Sequence, residues 1–193
     1  MRALLVVNPK ATTTSARTRD VLSHALASEV KLDVAETTHR GHAVELAAQA
    51  AVEGLDVVVA LGGDGTVNEV VNGLLQGGPQ TGLPALAVVP AGSTNVFARS
   101  LGMPNSAVEA TSQLLEALLQ NRRRRIGLAT ADDRWFTFNA GLGLDAGAVR
   151  RVERARAKGR TATQPLYVRS AIREYFFGEG TGSDIFDGWL DEH

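Results

Sequence analysis

The chain has 193 residues, with no cysteine, 44% hydrophobic and 21% charged residues, and a formal net charge of −1. That length suits one domain, or one domain and part of a second, and the composition excludes an intrinsically disordered chain. Without cysteine there is no disulfide, thiolate zinc site or cysteine nucleophile, and no apolar run approaches the ~20 residues of a membrane span.

Leu4-Leu5-Val6-Val7, ended by Asn8-Pro9, reads as a strand buried on both faces. This opening is too short for a signal peptide, so a cytoplasmic location is expected. Residues 15–28 carry Val21, Leu22, Ala25 and Leu26 at helical spacing, and Lys31–Thr37 predicts a second strand. Gly41 opens an alanine-rich helix through Val52, closed by Gly54. Asp56–Leu61 is the clearest buried strand. A glycine turn then leads to a helix near Val67–Gln76, and Leu86–Val89 makes a fourth strand. Helices follow near Thr94–Leu101 and Ser106–Gln120. Strand–helix alternation of this kind specifies a parallel α/β sheet.

After Arg122 the texture changes. Ile126–Ala131 and Trp135–Asn139 predict a hairpin turning at Asp132-Asp133-Arg134, and two basic helices are expected near Ala146–Lys158 and Leu166–Phe177. Residues 1–118 hold 7 basic and 11 acidic side chains, residues 119–177 hold 13 and 5, and residues 178–193 hold none and 5. The expected division is therefore a domain over 1–121, a basic partial domain over 122–177 and an acidic, unassigned tail over 178–193.

The strongest chemical signal is Gly62-Gly63-Asp64-Gly65-Thr66-Val67-Asn68-Glu69 at the carboxyl end of the best strand. Ligands of open α/β sheets gather where strands end and helices begin. Glycines let the backbone approach a phosphate, and a helix N-terminus offers unpaired N–H donors. Asp64 stands where a carboxylate can meet Mg²⁺ or accept a proton, both useful in phosphoryl transfer. Pro90-Ala91-Gly92-Ser93-Thr94-Asn95 and Asn8-Pro9-Lys10-Ala11-Thr12 follow two other strands in the same manner. Each turn taken singly is also compatible with ordinary helix capping. Three at the ends of three strands favour a phosphate site.

Other motifs fail. There is no P-loop and no Gly-x-Ser-x-Gly elbow, and the four histidines show no metal-ligand spacing. Gly141-Leu142-Gly143-Leu144-Asp145-Ala146 matches the loose dinucleotide fingerprint, but no acid lies between Glu153 and Glu174, where a ribose-binding carboxylate belongs. The run Arg122–Arg125 and the cluster Arg150, Arg151, Arg154, Arg156, Lys158 and Arg160 suit a solvated face, anionic lipid or nucleic acid. Aromatic residues do not interleave with them, which argues against nucleic acid.

Gly62–Gly73 followed by Pro90–Arg99 closely resembles the diacylglycerol kinase catalytic-domain family, which includes bacterial lipid kinases, sphingosine kinases and ceramide kinases. The resemblance runs from Leu4 to about Phe177. It takes in Asn8-Pro9, Thr37 with Gly41-His42-Ala43, and Phe138–Ala146. The Gly-Gly-Asp-Gly-Thr turn is shared with NAD kinases and resembles the phosphofructokinase turn; the extension Asn68-Glu69-Val70-Val71-Asn72-Gly73 is what points to lipid kinases.

The resemblance implies a three-layer, parallel-sheet nucleotide-binding domain, followed here by the start of a truncated β-rich domain. It implies ATP with Mg²⁺, and transfer of the γ-phosphoryl group to a primary hydroxyl of diacylglycerol or a related lipid. The alternatives are an ATP-binding module without turnover and an NAD kinase. Nucleotide contacts carry over to Asn8, Pro9, Lys10, Ala11, Thr12, Thr37, Gly63, Asp64, Gly65, Thr66, Val67, Asn68, Glu69 and Ser93. Asp64 is the catalytic candidate, as a water-mediated Mg²⁺ contact or as activator of the hydroxyl. Family members more often have Gly-Thr-Ala-Asn-Asp in the second turn, so Ser93 keeps a hydroxyl while Val96 loses a carboxylate. They also usually run to about 300 residues, with a late glutamate as general base, and the acids of the tail are not assigned that role. The lipid substrate implies work at a membrane surface, with residues 122–173 docking on anionic lipid at its inner face.

Overall fold

The computed structural model describes residues 1–11, 13–138, 144–157 and 164–177. Thr12, the fingerprint-like stretch 139–143 and the tail 178–193 lie outside the described residues. Two compact units emerge, Met1–Phe138 and Asn139–His193.

Four parallel strands organise the first unit: β1 (Arg2–Val7), β2 (Lys31–Glu36), β3 (Val57–Gly62) and β4 (Ala85–Pro90), in the spatial order β2-β1-β3-β4. The apolar runs become the central strands because both faces are covered. Every residue of β3 is buried, whereas the edge strand β2 is largely exposed. Side chains alternate across the sheet, so β1 serves two cores. Ala3, Leu5 and Val7 pack with Leu22 and Leu26 of α1 (Ala16–Ala27) and with Ala110 and Leu114 of α5 (Ala107–Leu119). Leu4 and Val6 pack with Ala43, Ala47 and Ala50 of α2 (His42–Val52) and with Val67, Val70 and Leu74 of α3 (Asp64–Leu74). The result is the expected three-layer α/β arrangement.

Local chemistry fixes the covering helices. Ser15 caps α1 by accepting from Thr18 N–H at 3.1 Å, and Ser106 caps α5 by accepting from Glu109 N–H at 3.4 Å. Burying Leu22 and Leu26 stabilises α1 by roughly 1.5–3 kcal/mol each, so Leu26→Ala, which also leaves a cavity, costs about 2–5 kcal/mol. On the opposite face, small residues let two helices meet. A Cβ placed at Gly73 of α3 would stand 2.8 Å from Ala47 Cβ and closer still to the Val44 carbonyl of α2.

A hairpin of β5 (Ala129–Ala131) and β6 (Arg134–Phe136) completes this unit, turning at Asp132, whose φ is +51°. It is shorter than the sequence predicts, and its hold on the domain is specific: Asn72 of α3 grips the backbone of Trp135 at both N–H and C=O. Of the second unit, α6 (Leu144–Ala157) and α7 (Gln164–Phe177) are described. They pack against one another and bury Ala148, Val152 and Ser170.

Candidate functional site

Register aligns the strand ends. Val7 stands opposite Glu36 on one side and Leu61 on the other, and Leu61 stands opposite Val89. Thr37, Asn8, Gly63 and Ala91, the residues that leave the strands, therefore sit along one edge. The chain runs from β1 to β2 on one side and returns to β3 on the other, so the topological switch falls between β1 and β3. Crevices of this kind are where open α/β sheets receive ligands.

The glycine turn is tighter than a loop. Helix α3 begins at Asp64, three residues before the position expected from periodicity, so Asp64, Gly65 and Thr66 form its first turn. Its N-cap, Gly63, supplies no side-chain hydrogen bond, and Gly65 faces open space. Amides of a first helical turn lack intrahelical partners and carry the positive end of the helix dipole. They constitute an anion seat whose N-cap residue adds no side-chain hydrogen bond.

Asp64 does not point freely into that seat. One carboxylate oxygen accepts from Thr94 Oγ1 at 3.0 Å and the other from Phe97 N–H at 3.1 Å. It thus ties α3 to the start of α4 (Val96–Ser100) while keeping the remaining lone pairs of both oxygens available. The second turn is locked from within by Asn95, which is buried and left-handed at φ +48°. Its Oδ1 accepts from Gly92 N–H at 2.9 Å, and its Nδ2 donates to Gly92 C=O at 2.8 Å and Asn105 Oδ1 at 2.9 Å. Asparagine tolerates this backbone better than most residues, and here its side chain closes the loop that the backbone opens.

The two turns touch backbone to backbone. A Cβ on Gly92 would fall 2.6 Å from Gly63 Cα, a distance no side chain accommodates. The first turn joins from the other side: Asn8 Nδ2 donates to Thr66 Oγ1 at 3.1 Å, and Asn8 Oδ1 accepts from Lys10 N–H at 2.9 Å. Thr13 N–H donates to Ala91 C=O at 3.3 Å, drawing the same loop towards β4. Within that loop, Thr14 Oγ1 is buried without a hydrogen-bond partner among the described residues.

The structure thus gathers Asn8, Pro9, Lys10, Ala11, Gly63, Asp64, Gly65 and Thr66 about one edge, with Ser93 exposed on the adjoining turn. Thr37 is fixed beside them, its N–H donating to Val7 C=O at 2.8 Å. Val67 offers a ligand nothing: its side chain is in the core and its N–H donates to Gly63 C=O at 3.1 Å. Asn68 faces the hairpin, where its C=O accepts from Asn72 Nδ2 at 2.8 Å and its Oδ1 lies 3.5 Å from Thr137 Oγ1. Glu69 is half-buried. Thr94, Asn95 and Asn72 belong to the motifs read from the sequence, but the sequence assigns them no individual role; the structure makes them supports of the site. The only signal for Asn72 is its spacing of four from Asn68, which puts both amides on one helix face.

The family model described as the diacylglycerol kinase catalytic domain matches residues 2–131. The chain belongs to the diacylglycerol kinase catalytic-domain family. A probable lipid kinase, YegS-like, from Chromohalobacter salexigens is 42% identical over 115 residues, covering 60% of this chain and 35% of its own. A diacylglycerol kinase from Bacillus subtilis is 39% identical over 107 residues, covering 55% of this chain and 33% of its own. The crystal structure of a diacylglycerol kinase from Bacillus anthracis Sterne superposes with a TM-score of 0.61 at 31% identity, covering 70% of this chain and 47% of that one. The chain spans about a third of the length of these curated relatives. Within the diacylglycerol kinase match lie all three turns of the site and the asparagine pair that holds the hairpin.

Proposed function

We propose that this chain carries the ATP site of a lipid kinase, which transfers the γ-phosphoryl group to a primary hydroxyl of diacylglycerol or a related lipid. The observation that supports this reading is the contact of Gly63 with Gly92, which brings two glycine turns together beside Asn8. The first-turn amides of α3 bind phosphate oxygens, assisted by the Ser93 hydroxyl. The loop from Asn8 to Thr12 and Thr37 flank the nucleotide on the β1–β2 side. The unpartnered Thr14 hydroxyl is a further donor waiting for an acceptor in that loop.

The residues present fit a Mg²⁺ carried on the ATP phosphates. Among the described residues no cluster of three metal-ligating side chains exists, and a Mg²⁺ that keeps several waters needs only one or two carboxylates. Asp64 would hold it, and the ion would neutralise charge on the phosphate oxygens. In the transfer, the lipid hydroxyl oxygen bonds to the γ-phosphorus as the β–γ bridging bond breaks and ADP leaves. The hydroxyl proton passes to a base, and Asp64 is this chain's candidate only in the alternative in which it does not hold the ion. Anionic lipid attracts the basic segment 122–173 and brings the protein to its substrate.

Incubation with Mg²⁺-ATP and diacylglycerol micelles yields phospholipid, and Asp64→Asn lowers the rate by about 100-fold or more. That variant also places an amide opposite the Thr94 hydroxyl and the Phe97 N–H, so its loss requires a control. Thr94→Val removes one of those hydrogen bonds and keeps the carboxylate. It slows the reaction less than about tenfold at a comparable melting temperature. Bound ATP without product in the wild type would select a nucleotide-binding module without turnover. No ATP binding at all would overturn the proposal.

A further inference from the structure

Within the second unit, α6 and α7 enclose a cleft of about 410 Å³. Arg151 and Arg154 line it from α6, and Arg169 and Arg173 line it from α7. Each pair stands one helical turn apart, where like charges repel. Among the described residues no carboxylate lines the cleft, and Arg154, Arg169 and Arg173 make no ion pair. A second depression shares Arg169 with the first and is walled by Pro165, Val168 and Ile172. Val168 and Ile172 are both exposed, one turn apart on α7. This surface suits an occupant that carries acidic and apolar groups close together.

Such a segment stands next in the chain. Residues 178–193, outside the described residues, carry five acids and no lysine or arginine. Asp184, Asp187 and Asp191 are interleaved there with Phe186, Trp189 and Leu190. A guanidinium grips a carboxylate with two parallel N–H donors, and an aromatic ring covers apolar surface beside it. Tethering favours this occupant over a separate acidic peptide. Arg169 lies roughly 12 Å back along α7 from Phe177, and the chain from Phe177 to Asp184 can span roughly 23 Å. A ligand attached at so short a range meets its site at about millimolar effective concentration.

We propose that the α6–α7 cleft is the docking site of this chain's own acidic segment, 178–193, with its carboxylates among Arg154, Arg169 and Arg173 and its aromatic residues against Val168 and Ile172. The contact goes beyond the kinase reading and needs no nucleotide. It neutralises the cleft from within the chain, so that a free anion reaches the arginines only when the segment leaves.

Tryptophan fluorescence of the full chain tests it. Trp135→Phe leaves Trp189 as the single tryptophan and keeps the Asn72 grip, which is on the backbone of residue 135. Trp189 then emits as a buried indole at low salt, and raising NaCl to about 500 mM shifts it to the emission of an exposed one. Arg169→Gln with Arg173→Gln gives the exposed emission at low salt. Should that pair fail to fold, Asp184→Asn with Asp187→Asn and Asp191→Asn leaves both helices untouched and gives the same release. By calorimetry, that triple variant binds pyrophosphate about tenfold more tightly than the wild type, because the cleft is no longer self-occupied. Exposed emission in the unaltered segment at low salt overturns the proposal. So does buried emission that neither set of variants changes, since the segment then packs elsewhere. Equal pyrophosphate affinity in wild type and triple variant overturns it as well. Release on dilution of the protein assigns the contact to the segment of a second copy, and overturns docking within one chain.

Discussion

At the carboxyl edge of the sheet, polar side chains satisfy one another: Asp64 with Thr94 and Phe97, Asn95 with Gly92 and Asn105, and Asn8 with Thr66. What remains for a ligand is mostly backbone, held in place by glycine contacts too close for a side chain, with the exposed Ser93 hydroxyl beside it. Between α6 and α7 the reverse holds: guanidiniums converge around an open cleft, and no described carboxylate lines it. Both regions suit phosphate, the first by preorganised dipoles and the second by net charge. The difference predicts different sensitivities. A dipole site responds to sub-ångström packing changes and little to salt, whereas a charge site tolerates small displacements and is screened by salt.

The largest effect expected is from Gly92→Val, which drives a side chain into Gly63 Cα. Expression of folded protein and ATP binding are both lost, while Gly65→Ala, at an open position, keeps the fold. Asn95→Ala comes next. It strands the Gly92 N–H and C=O and costs about 2–3 kcal/mol in a urea melt, with ATP affinity falling in parallel. Asn72→Ala releases the hairpin for about 1–2 kcal/mol and leaves ATP affinity within about twofold, since the hairpin is tied to α3 away from its first turn. Raising NaCl from about 50 to 300 mM weakens vesicle binding at least tenfold and ATP binding less than about threefold, which separates the two sites directly. Arg122→Ala breaks an exposed pair with Glu116 and moves stability by less than about 0.5 kcal/mol.

Strands and covering helices were legible because burial on two faces leaves continuous apolar runs, and burial on one leaves a helical period. The boundaries at the site were less legible. Glycines before Val67 read as a loop, yet Gly65 lies in the first turn of α3 and Gly63 is its N-cap. Asp64 favours the helix N-terminus by its charge. Thr94 and Asn95 read as helical but form the loop instead, because the Asn95 side chain bonds Gly92. The described hairpin pairs three residues a side, fewer than Ile126–Ala131 and Trp135–Asn139 predict, and Asn72 holds it at Trp135. Contacts between positions 64 and 94, 8 and 66, and 72 and 135 leave no periodic trace, so the sequence does not mark the residues that support the site. Fold and turn chemistry were readable; the partners of Asp64 were not.

We propose that the aligned strand ends, and not the second unit, receive ATP. Backbone amide NMR of the full chain titrated with Mg²⁺-ATP tests it most directly. Saturable shifts are expected at Asn8–Ala11, Gly63–Thr66 and Gly92–Thr94, with α6 and α7 little changed at physiological salt. Shifts concentrated at Arg154, Arg169 and Arg173, with Gly63–Thr66 unmoved, would contradict it.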